Sequence, residues 1–373
     1  MTADTDTAAA SVPTPGAAAT VAFSKYTSFG NTFIIVDETR TPLGDDRERA
    51  AFARWALNPD FGLGGTDNVL YLRRPVDGEP EADWVFRIFE QDGSETLSCG
   101  NGLLSSAAVL HAAHGGTSFG VLTELPTGRP QRVRIGVAAD RGRTWVNVGW
   151  PRPVPDELYV RRGPAPASGI DRVDGLEVPL PQDVSWTAGL PETVLLAGHL
   201  VFTGEPHLML RQGDGLPDAV ADKLFLAREA GGAGEIGLAP NASMKESNLL
   251  VDHLGRYVND HCRDRFPQGI HLSFTRVLDP GRGLVETRTY ERAIFCETLA
   301  CGSGSVALAY MLQELGLVSG STTQFWPHRC RWYAPDASLI VERTDDGWVL
   351  DGQPSLVCQG ELPRLGPRTE DSA

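Results

Sequence analysis

The chain has 373 residues, 41% of them hydrophobic and 22% charged, with a formal net charge of −15. Such acidity argues against a partner made of nucleic acid or anionic membrane, and the composition excludes a fibrous or wholly disordered chain. At roughly 150 residues per domain the length predicts about two domains. The six cysteines (Cys99, Cys262, Cys296, Cys301, Cys330, Cys358) are too sparse for a disulfide scaffold, no CxxC pair occurs, and the histidines lack zinc spacing. The first 22 residues contain no Lys or Arg, and no run approaches the ~18 apolar residues of a membrane span. The expectation is a soluble cytoplasmic protein with reduced thiols.

In chain order, residues 1–21 are Ala/Thr/Pro-rich and read as a disordered tail, with order expected from Phe23. A first α/β unit, 22–151, follows. It holds FSKYTSFGNTFIIVDE, the strands VLYLRR and DWVFRIFE, and a small-residue apolar run, LLSSAAVLHAA, that suits a buried helix. Residues 152–192 are crowded with Pro and Gly and read as a crossover. A second α/β unit spans 193–363. Within it, 216–260 predict two helices around the loop GGAGEIGLAPN, which fits no phosphate-binding spacing and reads as a turn or insertion. Residues 364–373 read as a frayed terminus.

One internal match stands out. Glu95-Thr-Leu-Ser-Cys-Gly-Asn-Gly102 returns as Glu297-Thr-Leu-Ala-Cys-Gly-Ser-Gly304, with a strand upstream of each copy (Arg87-Ile-Phe-Glu, Arg288-Thr-Tyr-Glu) and a small-residue helix downstream. The chain therefore reads as a duplicated strand–loop–helix unit, each copy presenting a cysteine just ahead of a helix. Unpaired N–H groups at a helix start bind carboxylates and favour a thiolate, and glycines let a ligand approach the backbone. Two such helices facing each other would set two thiols across one small ligand. That arrangement suits inversion of a C–H stereocentre: one thiolate removes the α-proton, and the opposite thiol delivers a proton to the other face. The carbanion would be stabilised at its carboxylate by both helix starts. Cys262, Cys330 and Cys358 lack this context and read as structural; Cys296 is left open.

With these segments, and with Phe29-Gly-Asn-Thr-Phe33, Gly204-Glu-Pro-His207, Phe266-Pro-Gln-Gly269 and Glu291-Arg292, the chain resembles the diaminopimelate epimerases, which work without pyridoxal phosphate. The resemblance runs over most of residues 23–362. It implies an α/β (α+β) fold of two pseudo-symmetric domains, each a curved, mainly antiparallel sheet around a central helix, with the site in the cleft between them. It implies that Cys99 and Cys301 are the two bases. Gly100, Asn101, Gly302 and Ser303 would hold the reacting carboxylate, Asn31, Glu291 and Arg292 would contact the rest of the substrate, and His207 would line the site. No metal, nucleotide or other cofactor is expected, so activity should survive chelators and fail under oxidation. The partner expected is a small amino acid, and a homodimer is left open.

The departures from the family pattern fall away from the thiols. Glu90 and Glu205 stand where the family has Asn, His271 replaces another Asn, and Ala293-Ile-Phe-Cys296 makes one residue more than usual between Arg292 and Glu297 and removes two glycines. The leading reading is a two-thiol racemase or epimerase for a basic or polar amino acid other than diaminopimelate, because two added carboxylates would repel a distal carboxylate. Diaminopimelate epimerase itself and a non-catalytic amino-acid-binding protein are the alternatives.

Overall fold

A two-residue turn, Phe29-Gly30, closes a hairpin near the start. β1 (Thr20–Ser28) and β2 (Asn31–Asp37) pair antiparallel with Ser28 opposite Asn31, while Phe29 and Gly30 take φ of 51° and 87°. Two left-handed residues in succession match the twist of the flanking strands. Leu299 lies so near that a Cβ on Gly30 would sit 2.1 Å from its side chain, so glycine is needed for space as well as for φ. The hairpin thus brings Asn31 to the loop ahead of Cys301.

The computed structural model describes residues 20–364 apart from 139, 141, 227–241 and 293. After β2 come α1 (Asp46–Ala56), β3 (Asn68–Arg73), β4 (Trp84–Phe89), β5 (Glu95–Thr96), α2 (Gly100–His114), β6 (Ser118–Thr123), β7 (Gln131–Ala138) and β8 (Arg143–Asn147). The chain continues through β9 (Asp171–Pro179), β10 (Thr193–Phe202), β11 (Pro206–Gln212), β12 (Gly215–Leu216), α3 (Asp218–Leu224) and α4 (Ala242–His261). Then follow β13 (His271–Asp279), β14 (Leu284–Glu291), β15 (Cys296–Thr298), α5 (Gly302–Glu314), β16 (Thr322–Pro327), β17 (Leu339–Thr344), β18 (Gly347–Gly352) and β19 (Ser355–Pro363).

This mixed α/β chain forms one hydrogen-bonded sheet with few helices, and its pairing scheme occurs twice. In the first half β2 runs parallel to β3, β3 antiparallel to β4, β4 antiparallel to β5 and parallel to β6, and β6, β7 and β8 continue antiparallel. In the second, β11, β13, β14, β15, β16, β17 and β18 repeat that order of senses. The halves meet where β8 and β18 pair antiparallel, Val146 opposite Leu350, and where β19 returns to pair with β1, Thr20 opposite Pro363.

The small-residue runs make the helices expected of them. α2 is buried from Gly100 to Ala107, and α5 from Gly302 to Leu312. Leu103, Leu104 and Ala107 share one core with Val306, Leu308, Met311, Trp348 and Leu350, so both helices pack into a common interior. A fully buried Leu contributes about 1.5–3 kcal/mol, enough to hold a helix that has no polar face.

Several boundaries differ from the reading of the sequence. Thr20 and Val21, assigned to the tail, belong to β1, where Val21 is buried beneath the sheet. The Pro/Gly-rich stretch 152–192 contains β9, whose alternating burial and pairing with β10 extend the second half. The two helices expected in 216–260 are α3 and α4, and the loop GGAGEIGLAPN between them lies outside the described residues, as do residues 1–19 and 365–373.

Candidate active site

Each repeated Cys-Gly motif folds as the start of a central helix. Cys99 caps α2 in extended conformation (φ −148°, ψ 117°) and its Sγ accepts from Gly102 N–H at 3.4 Å; Cys301 caps α5 (φ −117°, ψ 114°) and accepts from Gly304 N–H at 3.4 Å. The two helix starts touch. A Cβ on Gly100 would lie 3.0 Å from Ser303 N, and one on Gly302 3.2 Å from Asn101 N and 2.8 Å from the Leu350 side chain, so the two glycines let the helix starts approach this closely without displacing their neighbours. Asn101 ties the junction: its Nδ2 donates to Asn31 Oδ1 at 2.8 Å and to the Ala300 carbonyl at 3.0 Å.

Between the helix starts lies a cavity of about 30 Å³, roughly the room of one water molecule. Asn31, Cys99, Asn101, Cys301, Gly302 and Ser303 line one part of it, and Asn68, Glu90, Glu205, His271 and Glu291 line another. Of the residues expected at the site, Gly100, His207 and Arg292 stand just behind this wall. His207 Nε2 is 3.0 Å from Ser303 Oγ and its ring stacks on His271, centroids 4.7 Å apart. Burial, then the neighbouring His271, push the His207 pKa well down, so it is a neutral ring.

The carboxylates behave in three ways. Glu90 is buried with one donor, Asn68 Nδ2 at 2.7 Å, and burial, then Glu291 and Glu205, push its pKa up to about 8. Glu291 accepts from Thr298 Oγ1 at 2.7 Å and is also raised, chiefly by burial. Burial acts on Glu205 in the same direction, but Arg292 and His271 overcome it and hold the carboxyl at about 2. Arg292 Nη2 lies 2.7 Å from Glu205 Oε2, and its Nη1 donates to the Gln268 carbonyl at 3.2 Å.

The thiols reverse a simple expectation from helix electrostatics. Burial, followed by the charge of Glu291, pushes both Cys99 and Cys301 up from the ordinary cysteine range, and the N–H groups of the helix starts only partly offset this. In the closed cavity both are thiols.

Sequence reasoning left out Asn68, Ile88, Thr96, Ser98 and Ile294, all of which line the cavity. A signal existed for two of them, because Thr96 and Ser98 lie inside the repeated segment that carries Cys99. Asn68 opens β3, ahead of the apolar run Val69–Leu72, and its buried amide donates to Glu90, just past the end of β4. Cys262, Cys330 and Cys358 lie away from the cavity, and so does Cys296 on β15. Among the described residues no cluster of His, Cys, Asp or Glu could hold a metal ion, and no helix is long and apolar enough to cross a membrane.

Two thiols at adjoining helix starts thus border one cavity in a mixed α/β chain, and the comparisons identify that chain as an isomerase. The family model described as diaminopimelate epimerase matches residues 23–144. A diaminopimelate epimerase of Methanothrix thermoacetophila is 31% identical over 342 residues, covering 91% of this chain and 94% of that protein. Among solved structures, a predicted epimerase from Pseudomonas aeruginosa (TM-score 0.53, 18% identity, 92% of this chain and 99% of that one) shares the fold. So does a probable proline racemase from Agrobacterium radiobacter K84 (TM-score 0.53, 15% identity, 94% of each chain). The chain belongs to the diaminopimelate epimerase family.

Proposed function

We propose that this isomerase inverts the α-carbon of a basic or polar amino acid other than diaminopimelate, using Cys99 and Cys301 as its two bases and no cofactor. The observation that carries the reading is the matched capping of α2 and α5 by thiols at the two sides of one cavity. The substrate's α-ammonium, entering beside a thiol, favours the thiolate by charge. That thiolate takes the α-proton, the opposite thiol gives its proton to the other face, and the two cysteines end with their roles exchanged. Backbone N–H groups at Gly100, Asn101, Gly302 and Ser303, free of intrahelical partners, are donors for the carboxylate as charge builds on it. The cavity is too small for an amino acid as it stands, so its walls part on entry; in this reading 22–151 and 193–363 are two domains joined by 152–192, and the protein works in the cytoplasm.

The substrate class follows from charge. Three carboxyl groups (Glu90, Glu205, Glu291) line the cavity, and the guanidinium of Arg292 beside them is already engaged by Glu205. Glu90, with a single donor, can lose its proton and pair with an ammonium or guanidinium. A second reading, diaminopimelate epimerase, is favoured by the names of the matched relatives. The test is a panel of single amino acids and meso-diaminopimelate in heavy water, followed for α-deuterium. Exchange is expected with basic or polar amino acids. Efficient turnover of diaminopimelate with basic amino acids inert would establish the second reading, and no exchange with any would indicate a binding protein.

A further inference from the structure

Glu205 is held by more donors than an ordinary buried ion pair supplies. Its Oε1 accepts from Thr96 Oγ1 at 3.0 Å, Leu97 N–H at 3.0 Å and Ser98 N–H at 3.2 Å. Its Oε2 accepts from Arg292 Nη2 at 2.7 Å, and His271 Nε2 lies 3.4 Å away. Because His271 Nδ1 accepts the Arg292 N–H, the ring proton resides on Nε2, on the Glu205 side. Two consecutive backbone amides, a hydroxyl and a guanidinium therefore converge on one carboxylate, with an imidazole at its edge. These donors come from both halves of the chain, and Thr96, Ser98, Glu205 and His271 border the same cavity as the thiols.

Such a set is a carboxylate receptor, and we infer that Glu205 is its resident occupant, a specificity-determining side chain that closes the site to amino acids bearing a second carboxylate. A substrate's distal carboxylate would find the amides, the hydroxyl and the guanidinium taken and a fixed negative charge in place. A neutral or cationic side chain needs none of them. The part of this inference that concerns substrates rests on the racemase reading above; the receptor itself does not.

The test removes the occupant and offers a small one. Thermal unfolding of Glu205→Ala is measured in sodium formate and in sodium chloride at equal ionic strength, beside the wild type and Glu205→Gln. Formate is expected to raise the midpoint of Glu205→Ala by several degrees, because a ligand that binds only the folded state stabilises it. It should leave the other two proteins unchanged, since their receptors remain filled. Should Glu205→Ala be unfolded in chloride, its recovery by formate counts in favour. A variant that formate does not stabilise or recover overturns the receptor, and so does an equal response from the wild type or Glu205→Gln. In the exchange assay, Glu205→Ala should label meso-diaminopimelate at least tenfold faster than the wild type, and no gain overturns the specificity role. Formate binding with no exchange in any protein leaves the receptor and removes the racemase reading. Wild-type exchange with basic amino acids beside a formate-blind Glu205→Ala does the reverse.

Discussion

A thiol is a poor hydrogen-bond acceptor, so Cys99 and Cys301 cap α2 and α5 less well than Ser would at the same positions. Replacing either by Ser should therefore raise the unfolding free energy slightly, by up to about 1 kcal/mol, while lowering inversion by roughly a hundredfold or more. Urea unfolding and optical rotation together read this, and α-deuterium exchange on one face is expected to persist; full inversion by Cys99→Ser would refute the two-base assignment. Glu90 sets a pH dependence of the opposite kind to an ordinary surface acid. Its pKa is near 4.5 unfolded and about 8 folded, so the native state holds the proton more tightly, and this stabilisation is complete below pH 4.5 and lost as pH rises through 8. The loss is on the order of 5 kcal/mol. Glu291 and Asp67, shifted the same way, steepen it. Denaturant midpoints from pH 5 to 9 should fall for the wild type and fall less for Glu90→Gln, whose amide imitates the protonated acid. The two thiols were legible as a pair because their eight-residue setting recurs. The filled receptor around Glu205 was not, because its partners lie over a hundred residues upstream at Thr96–Ser98 and on to His271 and Arg292 downstream.

At the scale of elements, each cysteine loop is tied down by an arginine–glutamate pair. Arg288 on β14 forks onto Glu297, four residues ahead of Cys301, at 2.7 and 2.6 Å, and reaches the Leu224 carbonyl, Ser247 and Asn248 around α3 and α4. Both side chains of the pair are fully buried. Arg87 on β4 meets Glu95, four residues ahead of Cys99, in the same way and adds Asp46 of α1, but Asp46 is solvated. Removing one partner of a buried pair costs about 3–5 kcal/mol because the other charge is left unpaired, and partly solvated pairs cost less. Glu297→Gln should therefore destabilise the protein by that amount and Glu95→Gln by clearly less, as urea midpoints will show; equal losses would contradict the burial argument. The strand–loop–helix repeat was readable since motif, length and small-residue composition agreed. β9 was hidden because Gly175 interrupts the strand and Pro179 ends it, and α1 was not singled out because four Arg or Glu residues in eleven mask its thin apolar face, Phe52, Ala53 and Ala56.

At the scale of the molecule the second half does more than repeat the first. β8–β18 joins the two halves of the sheet, both central helices enter one core, and β19 returns across to β1. That return strand leaves Thr20 and Pro363 as neighbours in a ladder, while the chain between the halves passes through the exposed stretch at Arg162–Ala165. Ends that meet on a paired edge, with an exposed connection elsewhere, allow the order of the halves to be exchanged. A circular permutant begun at Pro164, with residue 364 joined to residue 20 through a short Gly/Ser linker, is expected to keep its circular dichroism, unfold within a few degrees of the parent and retain α-deuterium exchange. Loss of folding would mean that the 152–192 connection, rather than the seams β8–β18 and β1–β19, holds the halves together. Success would make the junction of residues 20 and 364 a place where a second protein could be inserted into the chain without touching either thiol.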